Sequence, residues 1–261
     1  MFTTQSNLDR GKVLRARGFD TVYFDQAGAG MSSRLNIKDM TAARAIADLE
    51  ALRVHMNAET MVLWGQSSGA SLAAAYSDRH ADRVAGLIIT SPGALPGNEA
   101  ERNYSRTARG TDDATTGRLL VTVALLSRNP KLAESFTSQS DSGALFDKTV
   151  NEDLHKAAYC PGQLPANAEV LGGGNLFVNR LVSKDFQRLA KPSAHSNIAT
   201  LILRGSCDYN EASIAESYAS RFGTRTAVTV IQDAGHGLFE KPADVDAALS
   251  AFVSQWPASV W

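Results

Sequence analysis

Short apolar runs alternate along this chain with segments of helical spacing, and this alternation constrains the fold more than any other feature. The runs are rich in β-branched and aromatic residues and nearly continuous, as expected for strands covered on both faces. Strands that alternate with helices form a parallel sheet with crossover connections. The pattern therefore predicts an α/β protein whose mostly parallel sheet is flanked by helices, with strands at 21–25, 61–64, 86–90, 200–204 and 227–232.

Helical spacing predicts two helices that pack on this sheet, at 40–56 and near the C-terminus, and residues 8–18 are also interpreted as a helix. The C-terminal helix begins at Pro242, a favourable first-turn residue, and carries an apolar stripe. Its members are Val245, Leu249, Phe252 and Trp256. Between 93 and 197 helical patterns and Gly/Pro breaks replace the strand signal. We therefore predict an α/β core at 1–95 and 196–261, interrupted by a helical cap at 96–195.

Composition limits the classes of partner. The 261 residues include 26 Lys+Arg and 27 Asp+Glu, for a net charge of -1, which indicates neither a nucleic-acid nor an acidic-membrane partner. No apolar run reaches the roughly 18 residues of a membrane-spanning helix, and the first residues lack a secretory pattern. Cys160 and Cys207 have no metal-ligand spacing, so reduced thiols in a cytoplasmic protein are expected, rather than a disulfide.

The second predicted strand ends abruptly in small residues, Gly65-Gln66-Ser67-Ser68-Gly69, and a helical segment follows. A Gly-x-Ser-x-Gly between a strand and a helix is the pattern of a nucleophile elbow, a tight, strained turn that needs small neighbours. The turn lifts the Ser67 hydroxyl above the sheet, and the following helix aims the Ser68 N–H at a developing oxyanion. A turn without function is the alternative.

A nucleophilic serine needs a base, and the base needs a carboxylate to orient it. His236 lies in a Gly-flanked loop after the last strand, and Asp208 follows the strand before it, in the order Ser, Asp, His. Asp208 as a mere cap of a helix beginning near Asn210 is one alternative, and Asp233 is a competing acid, more typical of a loop rim. The other histidines, His55, His80, His155 and His195, have no partner at metal spacing and receive no role.

The glycine-rich stretch FDQAGAGMSSR, at 24–34, follows the first predicted strand. It lacks the lysine of a phosphate-binding loop and the full dinucleotide spacing, so nucleotide binding is disfavoured. Instead, Asp25 is expected to fix the loop by hydrogen bonds from its side chain to the backbone. No cofactor or metal is expected.

With these stretches in order, the chain resembles the α/β-hydrolases, and among them the proline iminopeptidase branch. The resemblance rests on DQAGAGMS at 25–32, on LWGQSSGASLAAAYSDRHADRVAGLIITSPG from 63, on LILRGSCDY and on DAGHGLFEKP. It covers about 20–95 and 198–256 and implies a serine hydrolase whose cap selects small substrates. In the iminopeptidases cap carboxylates hold a free N-terminal amine. Candidate equivalents here are Glu99, Glu101, Glu134 and Asp141, and no motif chooses among them.

The chain departs from the family at two places. Ala27 stands where the family has arginine, and the family's His-Gly-Gly-Pro-Gly loop, which completes its oxyanion hole, does not occur in the sequence. In the family, that loop follows a strand lying between the Asp-Gln strand and the elbow strand. Our hypothesis is that Met1 is an internal methionine just past the loop, so that N-terminal strands are missing from this sequence. A degenerate relative, or a second chain that supplies the strands, are the alternatives.

These observations predict an enzyme in which Ser67 attacks an amide or ester carbonyl, His236 transfers the proton and Asp208 orients the imidazole. An aminopeptidase that acts on N-terminal proline or small residues is the first choice, and a carboxylesterase or lactone hydrolase is the alternative. A non-catalytic scaffold that binds a small ligand is the rival from another class. In each case the partner is a small molecule or a short peptide, and the oligomeric state stays open.

Overall fold

The computed structural model describes residues 5–33, 35–95, 158–166, 182–183, 185–186, 188–189 and 197–255. Within them, four strands form one sheet in sequence order. They are β1, Met61–Ser67; β2, Val84–Pro92; β3, Ala199–Gly205; and β4, Thr226–Ile231. Every neighbouring pair is parallel, so the carboxyl ends of all four strands lie along the same edge of the sheet.

The described helices precede, connect or follow these strands, and two of them, Ser68–Arg79 and Ala212–Phe222, are crossovers between neighbouring parallel strands. The helices are α1, Gln5–Arg10; α2, Lys12–Arg15; α3, Ala42–His55; α4, Ser68–Arg79; α5, Ala212–Phe222; and α6, Pro242–Val253. Short 3-10 turns occupy Ile37–Asp39, Ala81–Arg83 and Gly223–Arg225. α6 begins with proline in its first turn, as predicted.

Successive residues of the strands divide the core into two clusters, one on each face of the sheet. Leu87 and Ile89 of β2 belong to a cluster with apolar residues of α3, α4 and α5. Ile88, between them, belongs to the other cluster, with residues of α2 and α6. All three side chains are fully buried. In β2 neither face meets water, which is why this strand is apolar without interruption. β4, at one edge of the sheet, departs from the expectation of strands covered on both faces, because Val228 and Val230 are 46% and 40% exposed.

Four of the five predicted strands are present, and the prediction of a strand at 21–25 is wrong. Residues 19–26 are irregular, and β1 is one of the two edge strands of the described sheet. A strand exists only where a neighbour completes its ladder of hydrogen bonds, and no described strand pairs with this segment. The predicted helix at 8–18 is divided at Gly11, where the Tyr23 hydroxyl would lie 2.3 Å from an added Cβ.

The expectation of two reduced thiols is also wrong. Cys160 and Cys207 form a disulfide across 47 residues of sequence, with their Cα atoms 5.2 Å apart, within the range that a bridge spans. The expectation rested on the rarity of disulfides in cytosolic proteins, and that rarity says nothing about the distance between two particular cysteines in the fold. Reduced thiols therefore no longer support a cytoplasmic location, and that location stays a prediction.

The cap prediction lies mostly outside the described residues. Of 96–195, the structure describes only 158–166 and short pieces at 182–189. Phe186, in one of these pieces, is buried in the core, and the Asp185 carboxylate accepts the Ala42 N–H at the start of α3, at 2.8 Å. The candidate carboxylates of the cap, Glu99, Glu101, Glu134 and Asp141, and also His155, His195 and Trp256, lie outside the described residues. Among described helices, none is long and apolar enough to cross a membrane.

Candidate active site

The three residues predicted to cooperate all lie at the carboxyl edge of the sheet. Ser67 is the last residue of β1, Asp208 lies three residues beyond the end of β3, and His236 lies in the loop after β4. Strand register places the ends of β3 and β4 side by side, since Gly205 pairs with Ile231. The parallel topology therefore gathers residues that are far apart in sequence.

Ser67 has the backbone of a strained turn, with φ 52° and ψ -118°. A non-glycine residue at positive φ carries a penalty of about 1 to 3 kcal/mol and persists only where its surroundings enforce it. Gly65 is one of these surroundings, because a Cβ there would lie 2.4 Å from the carbonyl oxygen of Gly69. Gly69 differs from our interpretation: a Cβ at that position would meet nothing within 4 Å. Of the two glycines that flank the serine, only Gly65 is therefore needed to avoid a steric clash.

The residue after Ser67 begins α4, so the Ser68 N–H belongs to the first turn. N–H groups of a first turn have no partner within the helix, and the helix dipole makes them favourable donors to an anion. Gly93, beyond β2, packs against the same turn and donates its N–H to the Ser67 carbonyl oxygen at 3.0 Å. A Cβ on Gly93 would lie 3.2 Å from the Ser67 backbone, so little room is left beneath the serine.

Asp208 and His236 form a buried pair. Nδ1 of His236 lies 2.8 Å from Oδ1 of Asp208, and their side chains are 8% and 1% exposed. An ionised carboxylate only accepts hydrogen bonds, so Nδ1 carries the proton and Nε2 is left as an acceptor. The same Oδ1 accepts the N–H of Asn210 at 2.9 Å, which fixes the carboxylate from a second side. Asp208 therefore contacts His236 and also holds the turn before α5.

Three contacts that the sequence did not reveal hold His236 in place. Its carbonyl oxygen accepts a hydrogen bond at 3.3 Å from Nε2 of Gln66, the residue before Ser67. The ring of Tyr209 stacks on its imidazole, with centroids 4.1 Å apart. Gly205 lets the two loops meet, because a Cβ there would lie 2.0 Å from the Ala234 carbonyl oxygen. The adjacency of Gln66 to Ser67 and of Tyr209 to Asp208 was the only sequence signal for these roles.

The alternative residues lie apart from this pair. Asp233 is exposed and forms an ion pair with Lys241 at 3.7 Å, as expected for a loop rim. His80 packs against Tyr76 at the end of α4, and His55 is exposed. Asp25 accepts the N–H of Met31 at 3.0 Å, so the predicted bond from its side chain to the loop backbone is confirmed. Across the described ranges, no group of three or more His, Cys, Asp or Glu side chains is arranged to hold a metal ion.

Comparison with known proteins gives the family. The profile of the alpha/beta hydrolase fold matches residues 6–242, so the chain belongs to this family. A proline iminopeptidase of Xylella fastidiosa (strain 9a5c) is 24% identical over 252 residues, which cover 88% of this chain and 78% of that protein. A probable proline iminopeptidase of Leptolyngbya boryana is 39% identical over 69 residues, or 26% of this chain. That match spans only 22% of the relative's length.

Solved structures share the fold at low identity. A mutant of the Vigna radiata epoxide hydrolase superposes with a TM-score of 0.66 at 16% identity, over 96% of this chain and 88% of that chain. A marine microorganism esterase superposes with a TM-score of 0.54 at 15% identity, over 87% and 82%. The protein is thus similar in fold to hydrolases with different substrates, and at this identity the likeness concerns the fold alone.

Proposed function

We propose that the protein is a serine hydrolase in which Ser67 is the nucleophile, His236 the general base and Asp208 the residue that orients His236. The observation that carries the proposal is the coincidence of two features at one edge of the sheet. One is a serine held at positive φ directly before a helix, and the other is a buried Asp–His pair whose backbone is hydrogen-bonded to the residue before that serine. Strain and burial of this kind cluster at catalytic sites.

The chemistry follows from the protonation of the pair. Asp208 keeps the proton of His236 on Nδ1, so Nε2 accepts the hydroxyl proton as Ser67 attacks a carbonyl carbon. Nε2–H then protonates the leaving group, and the same base activates water to hydrolyse the acyl-enzyme. The Ser68 N–H donates to the oxyanion as charge develops there. Asp208 stays ionised throughout and stabilises the imidazolium.

For the substrate, we propose the amide bond after an N-terminal proline or small residue. The support is the similarity to proline iminopeptidases, which extends over 88% of the chain for the Xylella fastidiosa protein. An ester or lactone is the alternative, because the elbow and the triad act on the carbonyl and do not depend on the leaving group. A ligand-binding protein without catalysis is the alternative from outside enzymes.

The first test is labelling of the purified protein with a fluorophosphonate probe, which reacts only with an activated serine. We expect the probe to attach to Ser67 and expect Ser67→Ala to abolish attachment. Asp208→Asn should lower the labelling rate by about 10²- to 10⁴-fold, because an amide favours the wrong tautomer of His236. Asp233→Asn is the matched control, since it removes an exposed carboxylate from the loop of His236. A folded protein that resists the probe supports the ligand-binding alternative.

The second test separates peptidase from esterase. Proline p-nitroanilide and p-nitrophenyl acetate release products that are measured by absorbance at similar wavelengths, so one preparation is assayed on both. We expect turnover of the anilide, abolished by Ser67→Ala. Hydrolysis of the ester without any of the anilide would reject the aminopeptidase and retain the serine hydrolase.

A further inference from the structure

A short segment of the cap region, Ala158–Tyr159–Cys160, crosses the loop that carries His236, and we call it the strap. All three of its residues are buried. The Ala158 carbonyl oxygen accepts the Gly237 N–H at 2.7 Å, and the Tyr159 ring packs 5.3 Å from that of Phe239. The strap thus contacts the loop just beyond the histidine.

Close backbone contact continues on the other side of His236. A Cβ on Gly235 would lie 2.5 Å from the backbone of Tyr159, so only glycine lets the strap come this near. The two residues that flank His236, Gly235 and Gly237, therefore both touch the strap. A shift of the strap would move the backbone on each side of the imidazole.

The disulfide joins the strap to the loop of Asp208. Cys160 of the strap is bonded to Cys207, the residue before Asp208. The Cys207 N–H donates to the Ala234 carbonyl oxygen at 3.0 Å, which ties this loop to that of His236. The strap is therefore attached covalently to one loop of the Asp–His pair and by hydrogen bonds to the other.

Glu240 provides a third connection. Its Oε1 accepts the Cys160 N–H at 2.7 Å and the Gly235 N–H at 3.1 Å, so one carboxylate oxygen bridges the strap and the residue before His236. Arg10 also contacts this loop, because its guanidinium donates a hydrogen bond to the Gly237 carbonyl oxygen. Its positive charge also attracts the Glu240 carboxylate. Hydrogen bonds to a charged acceptor are the stronger kind.

We propose that Cys160, Cys207 and Glu240 are positioning residues, which act through the strap to hold His236 in register with Asp208. The proposal rests on the proposed function, because it concerns the base of that same site. Among the described residues, no hydrogen bond joins any of the three side chains to the predicted nucleophile. Their removal lets the imidazole drift, and a misplacement of about 1 Å lowers the rate by about 10²-fold. Because proton transfer occurs only in the transition state, kcat falls and KM stays unchanged.

The test compares four variants with the wild type: Cys160→Ala/Cys207→Ala, Glu240→Ala, Glu240→Gln and the control Asp233→Asn. The readouts are the labelling rate of Ser67, kcat and KM on p-nitrophenyl acetate, and the melting temperature. We expect the first two variants to lose about 10- to 100-fold in labelling rate and kcat at constant KM. Glu240→Gln keeps an oxygen acceptor for both N–H groups and should recover most of the loss. Asp233→Asn should match the wild type.

Reduction of the folded wild type avoids any failure of a variant to fold. Dithiothreitol delivers two electrons and two protons to the bridge, which gives two cysteine thiols and the cyclic disulfide of the reagent. We expect the labelling rate to fall by the factor seen in the double-cysteine variant, while that variant itself does not respond to the reagent. Alkylation of the denatured, unreduced wild type should find no free thiol.

The outcomes distinguish the two proposals. An unlabelled wild type overturns the proposed function. A labelled wild type whose rate and kcat are unchanged in the variants and on reduction, even with a lower melting temperature, overturns the positioning role and leaves the hydrolase in place. Two free thiols in the wild type also overturn the positioning role.

Discussion

Replacing Gly65 with alanine should damage the site far more than adding the same methyl group four residues later. The new Cβ would lie 2.4 Å from the Gly69 carbonyl oxygen, 2.6 Å from its carbon and 2.7 Å from the Ala70 nitrogen. These are backbone atoms, so no rotamer change relieves the contact, and ordinary contact at 3.4 Å requires β1 and α4 to separate by about 1 Å. Forcing extra volume into a packed site lowers the free energy of unfolding by about 1 to 3 kcal/mol.

The same separation displaces Ser67, which lies between the two elements, and a displacement of about 1 Å lowers the reaction rate by about 10²-fold. Urea unfolding measures the first effect, and the second-order rate of fluorophosphonate labelling measures the second. Gly69→Ala is the matched control. Its Cβ meets nothing within 4 Å. Replacing a glycine within a helix by alanine stabilises the helix by about 0.5 to 1 kcal/mol. If Gly65→Ala is as stable and as reactive as Gly69→Ala, the close approach of β1 and α4 is not what holds the serine.

Two further predictions concern α3, which contains Glu50 and begins at Ala42. The hydrogen bond from Arg53, and next that from Tyr76, lowers the pKa of Glu50 to about 2. Its contribution to stability is present above the unfolded pKa of about 4.3 and is lost as pH falls toward 2. Glu50→Gln should therefore flatten the dependence of unfolding free energy on pH below 4.5, and an unchanged slope would contradict this reasoning. Asp185→Ala should lower the unfolding free energy by about 0.5 to 2 kcal/mol, because the Ala42 N–H loses its acceptor; an unchanged urea midpoint would exclude that role.

The sheet was predictable where strands are buried on both faces. Leu87, Ile88 and Ile89 are all fully buried, and a run without polar interruption records this burial directly in sequence. The wrong prediction of a strand at 21–25 has a different cause. That segment has the composition of a strand, but composition describes the side chains and not the presence of a neighbour for the backbone.

The placement of the candidate residues at one edge of the sheet was predictable, because it follows from the order of the strands. In a parallel sheet every strand ends at the same edge, so the residues after β1, β3 and β4 lie on one side of the sheet, where their loops can approach each other. The contacts within the site were not predictable. The stacking of Tyr209 on His236 and the bond from Gln66 depend on side-chain directions, and the 47 residues between Cys160 and Cys207 conceal a Cα separation of 5.2 Å.

Backbone contacts determine the spacing at this edge of the sheet. Gly65 meets the start of α4, Gly205 meets the loop of His236, and Gly235 meets the strap, and at each an added Cβ would lie within 2.5 Å of another segment's backbone. None of the three has positive φ, so they are required for space and not for conformation. Backbone atoms have no rotamers through which to yield. The strap supplies one of these three contacts, at Gly235, so loss of its disulfide or of its bond to Glu240 returns freedom to the loop of His236, while the contacts at Gly65 and Gly205 remain.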